Sequence, residues 1–223
     1  MELFTSEGCS SCPSADETLA RLTDRAEQSG QRLIALELHV DYWNYLGWVD
    51  PFSDPVHAQR QSAYAKRFGE TGMYTPQLVV SGREQLVGSD EGGALAAIER
   101  ALDRSPSVTI SVSARRDDGD LLVDYAVTAP NAVEVQLALA QDRAETHVTR
   151  GENARQLLRH RHVVRAFESV HLAASGGGQW RVAASRLEQP GIAKPVWFLA
   201  AYATDPSTLA VLGATSTKLE PAL

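Results

Sequence analysis

The chain has 223 residues, of which 43% are hydrophobic and 22% charged, and its formal net charge is −7. This length allows one large domain or two small ones, with enough apolar material for a substantial core. The negative charge and the lack of a dense Lys/Arg tract in the sequence exclude a broad nucleic-acid-binding surface, and no apolar stretch is long enough to span a bilayer. We therefore expect neither a nucleic-acid partner nor a membrane span.

Residues 1–104 are predicted to alternate between strands and helices. Apolar runs of strand length alternate with segments whose apolar residues recur at helical spacing. The predicted elements are a strand at Met1–Phe4, a helix at Pro13–Gln28, a strand at Leu33–Val40, a helix at Asp54–Phe68, a hairpin of Gln77–Ser81 and Gln85–Gly88, and a helix at Asp90–Leu102. The run Leu33–Leu38 is nearly all apolar, which predicts a central parallel strand.

The pattern changes at Ser105-Pro106, after which short strands of period two follow one another with turns between them. This spacing is typical of an antiparallel sandwich. We therefore predict two domains, 1–104 and 105–223, the second all-β and sandwich-like. Within it, Ser175–Gly178 is predicted to be a flexible hairpin tip. His160–His162 is predicted to be a polar face between strands with alternating residues turned to solvent; the alternative is that this basic stretch receives an anionic partner.

The only two cysteines, Cys9 and Cys12, are spaced C-x-x-C between the first strand and the first helix. Amide groups and the dipole at a helix N-terminus stabilise a thiolate, so the pKa of Cys9 should be depressed. Pro13 fits the first helical turn. A disulfide across so short a loop removes little unfolded-chain entropy. The motif therefore predicts a redox pair, with Cys9 as the more exposed nucleophile and Cys12 as the resolving thiol.

Two other segments are expected beside the cysteines. Thr75-Pro76 stands at the entrance of the third strand, where a cis peptide bond makes a tight turn. His39, Asp41 and Trp43 follow the second strand, whose C-terminal end should lie at the edge that carries the cysteine loop. We expect these residues to form a wall of a substrate groove, with His39 or Asp41 assisting proton transfer or tuning the pKa of Cys9. The alternative is that the aromatic residues cover the core and Asp41 caps a turn.

A metal site is the main alternative to redox chemistry. Cys9, Cys12 and His39 form a candidate ligand set for Cu(I), or for zinc with Asp41 or His57 added. A third hypothesis is a module that binds a partner and whose cysteines are vestigial.

Several stretches carry a family resemblance. Residues 74–80 with Gly82 and Gly88-Ser89-Asp90 resemble the glutaredoxin signature within the thioredoxin superfamily. Residues 2–13, 39–48, 150–154 and 160–165 resemble a bacterial family known as domain of unknown function 1223. The resemblance implies an α/β thioredoxin-like domain followed by a β-rich domain, often in exported proteins.

The same resemblance bears on ligands and location. If glutathione binds as in glutaredoxins, the Thr75 backbone and the Ser89-Asp90 turn hold it; the alternative is that Ser89-Asp90 only caps a helix. We expect a thiol–disulfide oxidoreductase without a cofactor, with glutathione as a candidate substrate and a disulfide-containing protein or small thiol as partner. The expected location is periplasmic or otherwise exported, with the cytoplasm as the alternative because no leader pattern follows Met1.

Overall fold

The computed structural model describes residues 1–187 and 195–219. Parts of the predicted second domain, residues 188–194 and 220–223, lie outside this range. The helices are α1 (Pro13–Ser29), α2 (Pro55–Phe68), α3 (Glu91–Leu102) and α4 (Ala184–Leu187), with a single 3₁₀ turn at Asn44–Leu46. The strands are β1 (Glu2–Thr5), β2 (Leu36–His39), β3 (Gln77–Val80), β4 (Glu84–Val87), β5 (Thr109–Asp117), β6 (Asp120–Thr128), β7 (Val133–His147), β8 (Leu157–Leu172), β9 (Gly176–Val182), β10 (Trp197–Thr204) and β11 (Val211–Leu219).

The strands form one mixed sheet of eight, in the order β11-β10-β7-β8-β2-β1-β3-β4, and a second sheet of three, in the order β5-β6-β9. The predicted fold class, an α/β thioredoxin-like domain followed by a separate all-β sandwich, is therefore wrong: the structure is mostly strand and 24% helical. The reason is the pairing of β8 with β2, parallel at Glu37↔Val163. Strands expected to build a separate domain instead continue the sheet that contains β1 to β4.

The chain forms two compact units, and the first consists of Met1–Arg104 together with Arg143–Val163. The second consists of Ser105–Asp142 and Val164–Leu223. Residues 143–163, which the sequence assigned to the second domain, thus belong to the first unit. They are the end of β7, the connecting turn and the start of β8.

In the first unit, β1 and β2 are parallel and β3 runs antiparallel to β1. This confirms the prediction of a central parallel strand after α1. The apolar face of α1, with Leu19 and Leu22, packs with Leu3, Leu78 and Ile98 into a buried core. Helix α1 ends at Gly30, whose left-handed backbone (φ 68°) accommodates the helix C-terminus.

In the second unit, residues from β5, β6, β7, β9 and β10 form one large apolar core that includes Val123, Leu137 and Leu199. The predicted flexible tip is instead part of β9, because Gly176–Gly178 pair with β6. A side chain at Gly177 would collide with the Tyr125 carbonyl of β6, so the glycines permit close strand contact. No helix in residues 1–187 and 195–219 combines the length and the apolar character needed to cross a membrane.

Candidate functional site

The cysteine pair lies between β1 and α1, where Cys9 and Cys12 form a disulfide with their Cα atoms 5.5 Å apart. Cys12 stands at the N-cap of α1, with Pro13 in the first turn. The Cys12 carbonyl accepts hydrogen bonds from the amides of Ala15 and Asp16. The pair therefore sits at the positive end of a helix, which favours a thiolate once the bond is reduced.

Both cysteines are covered in this oxidised form. Cys9 is 1% exposed and Cys12 0%, so the expected greater exposure of Cys9 is not present in the disulfide. The two serines between them, Ser10 and Ser11, are exposed. The Ser11 hydroxyl lies 3.3 Å from the Cys9 sulfur, within hydrogen-bonding distance for sulfur. The two serines of the loop are thus open to solvent, whereas the two cysteines are covered.

That cover includes the turn between β7 and β8, here named the covering turn (residues 148–156). Asn153 is buried, and its side-chain amide donates to the carbonyls of Glu7 and Cys9, at 2.9 Å in each case. The carboxylate of Glu152 accepts a hydrogen bond from the Ser10 amide at 2.8 Å. The covering turn thus fastens the cysteine loop through Glu152 and Asn153.

The predicted second segment does reach the cysteine loop. The Thr75–Pro76 peptide is cis, as predicted, and the register Phe4↔Gln77 places Pro76 beside the end of β1 that leads to Cys9. The Trp43 indole N–H donates to the Thr75 hydroxyl at 2.8 Å. The Trp43 Cβ lies only 3.0 Å from where a Gly8 side chain would begin. Trp43 thus connects the cysteine loop with Thr75.

The remaining candidates have ordinary structural contacts. Ser89 and Asp90 are exposed, and Asp90 caps α3 by accepting a hydrogen bond from the Gly93 amide at 2.9 Å. Asp41 is half-buried, and its carbonyl accepts from the Asn44 amide in the turn after β2. The cap matches the structural alternative for Asp90, and a ligand-binding role for Asp41 and Asp90 stays a prediction.

His39 does not form the wall of an open groove, because it is completely buried. It belongs to a group of six buried residues of the first unit, here named the buried cluster: Glu7, Asp16, Glu37, His39, Asp50 and His160. His39 Nδ1 lies 2.8 Å from Asp50 Oδ2. His160 Nε2 lies 3.1 Å from Glu7 Oε1. Since Glu7 precedes the cysteines and Asp16 follows them, the cluster anchors both ends of their loop.

Hydrogen bonds fix the carboxylates of the buried cluster. The amides of Glu7 and Phe52 donate to Asp50, each at 2.9 Å. The Trp48 indole donates to Glu7 Oε2 at 2.8 Å. The hydroxyl of Thr5 donates to Asp16 at 2.6 Å, and the Arg161 amide to Glu37 Oε1 at 3.1 Å. The orientation of the cluster is therefore set by backbone groups and by side chains around it.

Burial and mutual charge shift the pKa values within the cluster. Burial lowers the pKa of His39, but the charge and hydrogen bond of Asp50 outweigh it and raise the pKa well above its usual value. Burial likewise opposes the charged form of His160, whose pKa the carboxylates of Glu37 and Glu7 raise to about 9. Burial, followed by the charge of Glu37, raises the pKa of Asp16 to about 7. In this buried interior the charged histidines and the ionised carboxylates stabilise each other's charged forms.

The chain is similar to one protein family and to several solved structures. A family described as a protein of unknown function, DUF1223, matches residues 1–199. The chain belongs to this family. None of the curated proteins compared matches it. Among solved structures, protein AGR_C_4864 from Agrobacterium tumefaciens is similar, with 28% identity and a TM-score of 0.67 over 98% of this chain and 95% of that one. The DUF1223 chain thus shares its fold with that protein.

Two further structures cover about half of this chain. OgpA from Akkermansia muciniphila matches 54% of this chain and 30% of its own, with 12% identity and a TM-score of 0.36. A domain of the outer membrane lipoprotein Omp28 from Porphyromonas gingivalis matches 52% of this chain and 90% of its own, with 16% identity and a TM-score of 0.35. TM-scores this low support no inference about the DUF1223 protein.

Sequence reasoning missed most of the buried cluster and the covering turn of this DUF1223 chain. His160, Arg161 and His162 were expected to face solvent, but all three are buried, since β8 lies between β7 and β2. A signal was present nonetheless. Glu37 interrupts the apolar run of β2, and Asp16 falls on the same helical face as Leu19. A charged residue in an apolar run is a sign of a buried polar partner.

Proposed function

We propose that this DUF1223 protein is a thiol–disulfide oxidoreductase that exchanges disulfides through Cys9 and Cys12. The observation that carries the proposal is the bonded cysteine pair at the N-terminus of α1, with exposed Ser10 and Ser11 between its members. A bond that closes so short a loop contributes little as a staple. Its position at a helix N-terminus, in contrast, lowers the energy of a thiolate and so favours exchange.

The proposed reaction is a two-electron exchange. A thiolate of a substrate dithiol attacks the Cys9 sulfur, the Cys9–Cys12 bond breaks, and Cys12 leaves as a thiolate that takes up a proton. The second substrate thiol, deprotonated, then attacks the mixed disulfide and releases Cys9. The substrate becomes a disulfide and the protein a dithiol. In the reverse direction Cys9 attacks a substrate disulfide and Cys12 resolves the intermediate.

Neighbouring groups support this division of roles. The Ser11 hydroxyl lies 3.3 Å from the Cys9 sulfur and so can donate a hydrogen bond to a Cys9 thiolate. Trp43 packs against Gly8 of the loop and donates a hydrogen bond to Thr75. We assign the Thr75 backbone and the Trp43 ring to the substrate strand or thiol that approaches Cys9. No organic cofactor is needed, and glutathione is a candidate substrate.

The test is thiol–disulfide exchange with a reduced dithiol peptide and with oxidised glutathione, followed by mass spectrometry. The wild type should exchange, Cys9→Ser should not, and Cys12→Ser should accumulate the mixed disulfide on Cys9. Glu17→Gln, an exposed change one turn along α1, is the matched control and should behave as the wild type. Equal exchange by Cys9→Ser and the wild type would remove the proposed function.

The proposed location is an exported, oxidising compartment such as the periplasm. Disulfides persist outside the reducing cytoplasm, and the pair is bonded in this structure. Fractionation of cells that express the natural full-length protein tests this, with cysteine alkylation to report the redox state. Recovery of the protein in the cytoplasm with both thiols free would contradict it.

A further inference from the structure

Three polar atoms converge inside the buried cluster without hydrogen bonds. Among the described residues, Glu37 Oε2, His39 Nε2 and His160 Nδ1 are buried and have no hydrogen-bond partner. Glu37 Oε2 lies 3.7 Å from His39 Nε2 and 3.3 Å from His160 Nδ1. Donor atoms of the three residues all lie within 4.8 Å of one another. Buried polar atoms are rarely left without well-formed hydrogen bonds, and here only the ion pairs of Glu37 with the two rings hold them, so a bound cation would fit the arrangement.

The two histidines present the correct nitrogens for metal binding. The other nitrogen of each ring, His39 Nδ1 and His160 Nε2, faces a carboxylate, which accepts a hydrogen bond but cannot donate one when ionised. The proton on each outer nitrogen is thereby held against a carboxylate. In the metal-free cluster the charged rings also carry protons on His39 Nε2 and His160 Nδ1, which face Glu37 Oε2. A metal ion would replace these inner protons and receive the lone pairs of the two nitrogens. Carboxylates behind metal-binding histidines fix the ring in this way in known metal sites.

The spacing of the donors also fits a small cation. Ligand atoms about 2.1 Å from a tetrahedral zinc ion stand about 3.4 Å from each other. The observed separations from Glu37 Oε2 are 3.3 and 3.7 Å. Asp16 Oδ2 lies 3.6 Å from His160 Nδ1, but Asp16 is outside the group of donors that lie within 4.8 Å of one another, so the protein ligands are three. Protons on the two rings connect each ring to Glu37 separately, whereas a cation at their centre would contact Glu37, His39 and His160 at once.

The surroundings of the donors are dry and rigid. The Phe52 ring packs edge-on against both imidazoles, with centroids 5.3 Å from His39 and 5.5 Å from His160. Glu37 is held by the Arg161 amide through its other oxygen. A cation enclosed here would be structural, since none of the three donor residues is open to solvent, and it would be captured as the chain folds.

We propose that Glu37, His39 and His160 bind one divalent transition-metal ion such as Zn²⁺ beneath the cysteine loop. Imidazole nitrogens and carboxylate oxygens suit zinc and its neighbours in the first transition row. The site is independent of the two thiols, because no sulfur belongs to the donor set. It differs in this respect from a Cys9–Cys12–His39 site.

The test is refolding of the full chain from denaturant with one equivalent of Zn²⁺ or with a chelator, followed by desalting and elemental analysis. The expected result is one zinc per chain, with a melting temperature at least about 5 °C higher than that of the chelator-treated protein. Glu37→Gln keeps the acceptor for the Arg161 amide and should lower zinc affinity at least about 100-fold. His171→Gln, an exposed histidine of the second unit, is the control and should bind as the wild type.

The double variant Cys9→Ser/Cys12→Ser separates this proposal from the redox function. It should bind zinc as the wild type does, even though it has no exchange activity. If Glu37→Gln does not fold, X-ray absorption of the zinc-loaded wild type decides, and nitrogen and oxygen ligands without sulfur are expected. Three results would each overturn the proposal. The double cysteine variant fails to bind zinc, the absorption spectrum shows sulfur ligands, or the wild type retains no zinc and melts at the same temperature with and without it.

Discussion

Asn153 of the covering turn offers a direct way to perturb access to the disulfide. Its side-chain amide donates two buried hydrogen bonds, to the carbonyls of Glu7 and Cys9. A typical buried hydrogen bond contributes about 1 kcal/mol, with a range of about 0.5–1.5. Asn153→Ala should therefore make opening of the cysteine loop easier by about 1–3 kcal/mol. At 1.4 kcal/mol for each factor of ten, this is a roughly 5- to 150-fold larger open population.

The assay is the rate at which dithiothreitol reduces the Cys9–Cys12 bond, with the new thiols trapped by alkylation and counted by mass spectrometry. Reduction requires access to a sulfur, so its rate should rise with the open population. Gln156→Ala is the control, because it removes the side-chain hydrogen bond to the Asn153 side-chain oxygen, at 3.3 Å, and keeps the backbone hydrogen bonds of Gln156 with Val148 and Asn153. It should change the rate less than about threefold, the effect of a bond near the weak end of the range. The reasoning would be refuted if Asn153→Ala lowered the melting temperature yet was reduced no faster than the wild type.

Three other substitutions have defined outcomes. Trp43→Phe removes the hydrogen bond to Thr75 and should lower the free energy of unfolding by about 0.5–1.5 kcal/mol in urea; no loss would mean that the bond is absent in solution. Gly177→Ala should lower it by at least about 2 kcal/mol, since the new methyl group meets the Tyr125 carbonyl; a stable variant would show that β6 and β9 are further apart. His39→Gln leaves a carboxylate buried without its cationic partner and should cost about 3–5 kcal/mol. Slower thiol exchange at unchanged stability would instead restore His39 as a proton-transfer group.

The elements of residues 1–104 could be predicted because each carries its own local signal. Helix α1 has an apolar face at regular spacing, and its predicted end at Gln28 lies one residue from the observed Ser29. The hairpin of β3 and β4 and the position of α3 follow equally from apolar runs and the glycines between them. The association of Thr75-Pro76 with the end of β1 follows from an antiparallel third strand, and the register confirms it.

The fold class could not be read from the same signals. The parallel pairing of β8 with β2 joins segments that are remote in sequence, and strand periodicity gives no partner. The alternating polar residues of β8 predicted a strand with one face in solvent. In the structure β8 is a central strand, and a central strand buries both faces. The burial of His160 and Asn153 was not predicted, because their partners, Glu7 and Cys9 among them, lie near the start of the sequence.

The reduction potential of the Cys9–Cys12 pair tests the proposed function most directly. Equilibration with glutathione buffers of graded ratio, followed by acid quenching and alkylation, measures the oxidised fraction at each potential. A redox-active pair should titrate reversibly as a two-electron couple between about −120 and −270 mV, the range of known thiol–disulfide oxidoreductases. A bond still oxidised below about −300 mV, as structural disulfides are, would contradict the account.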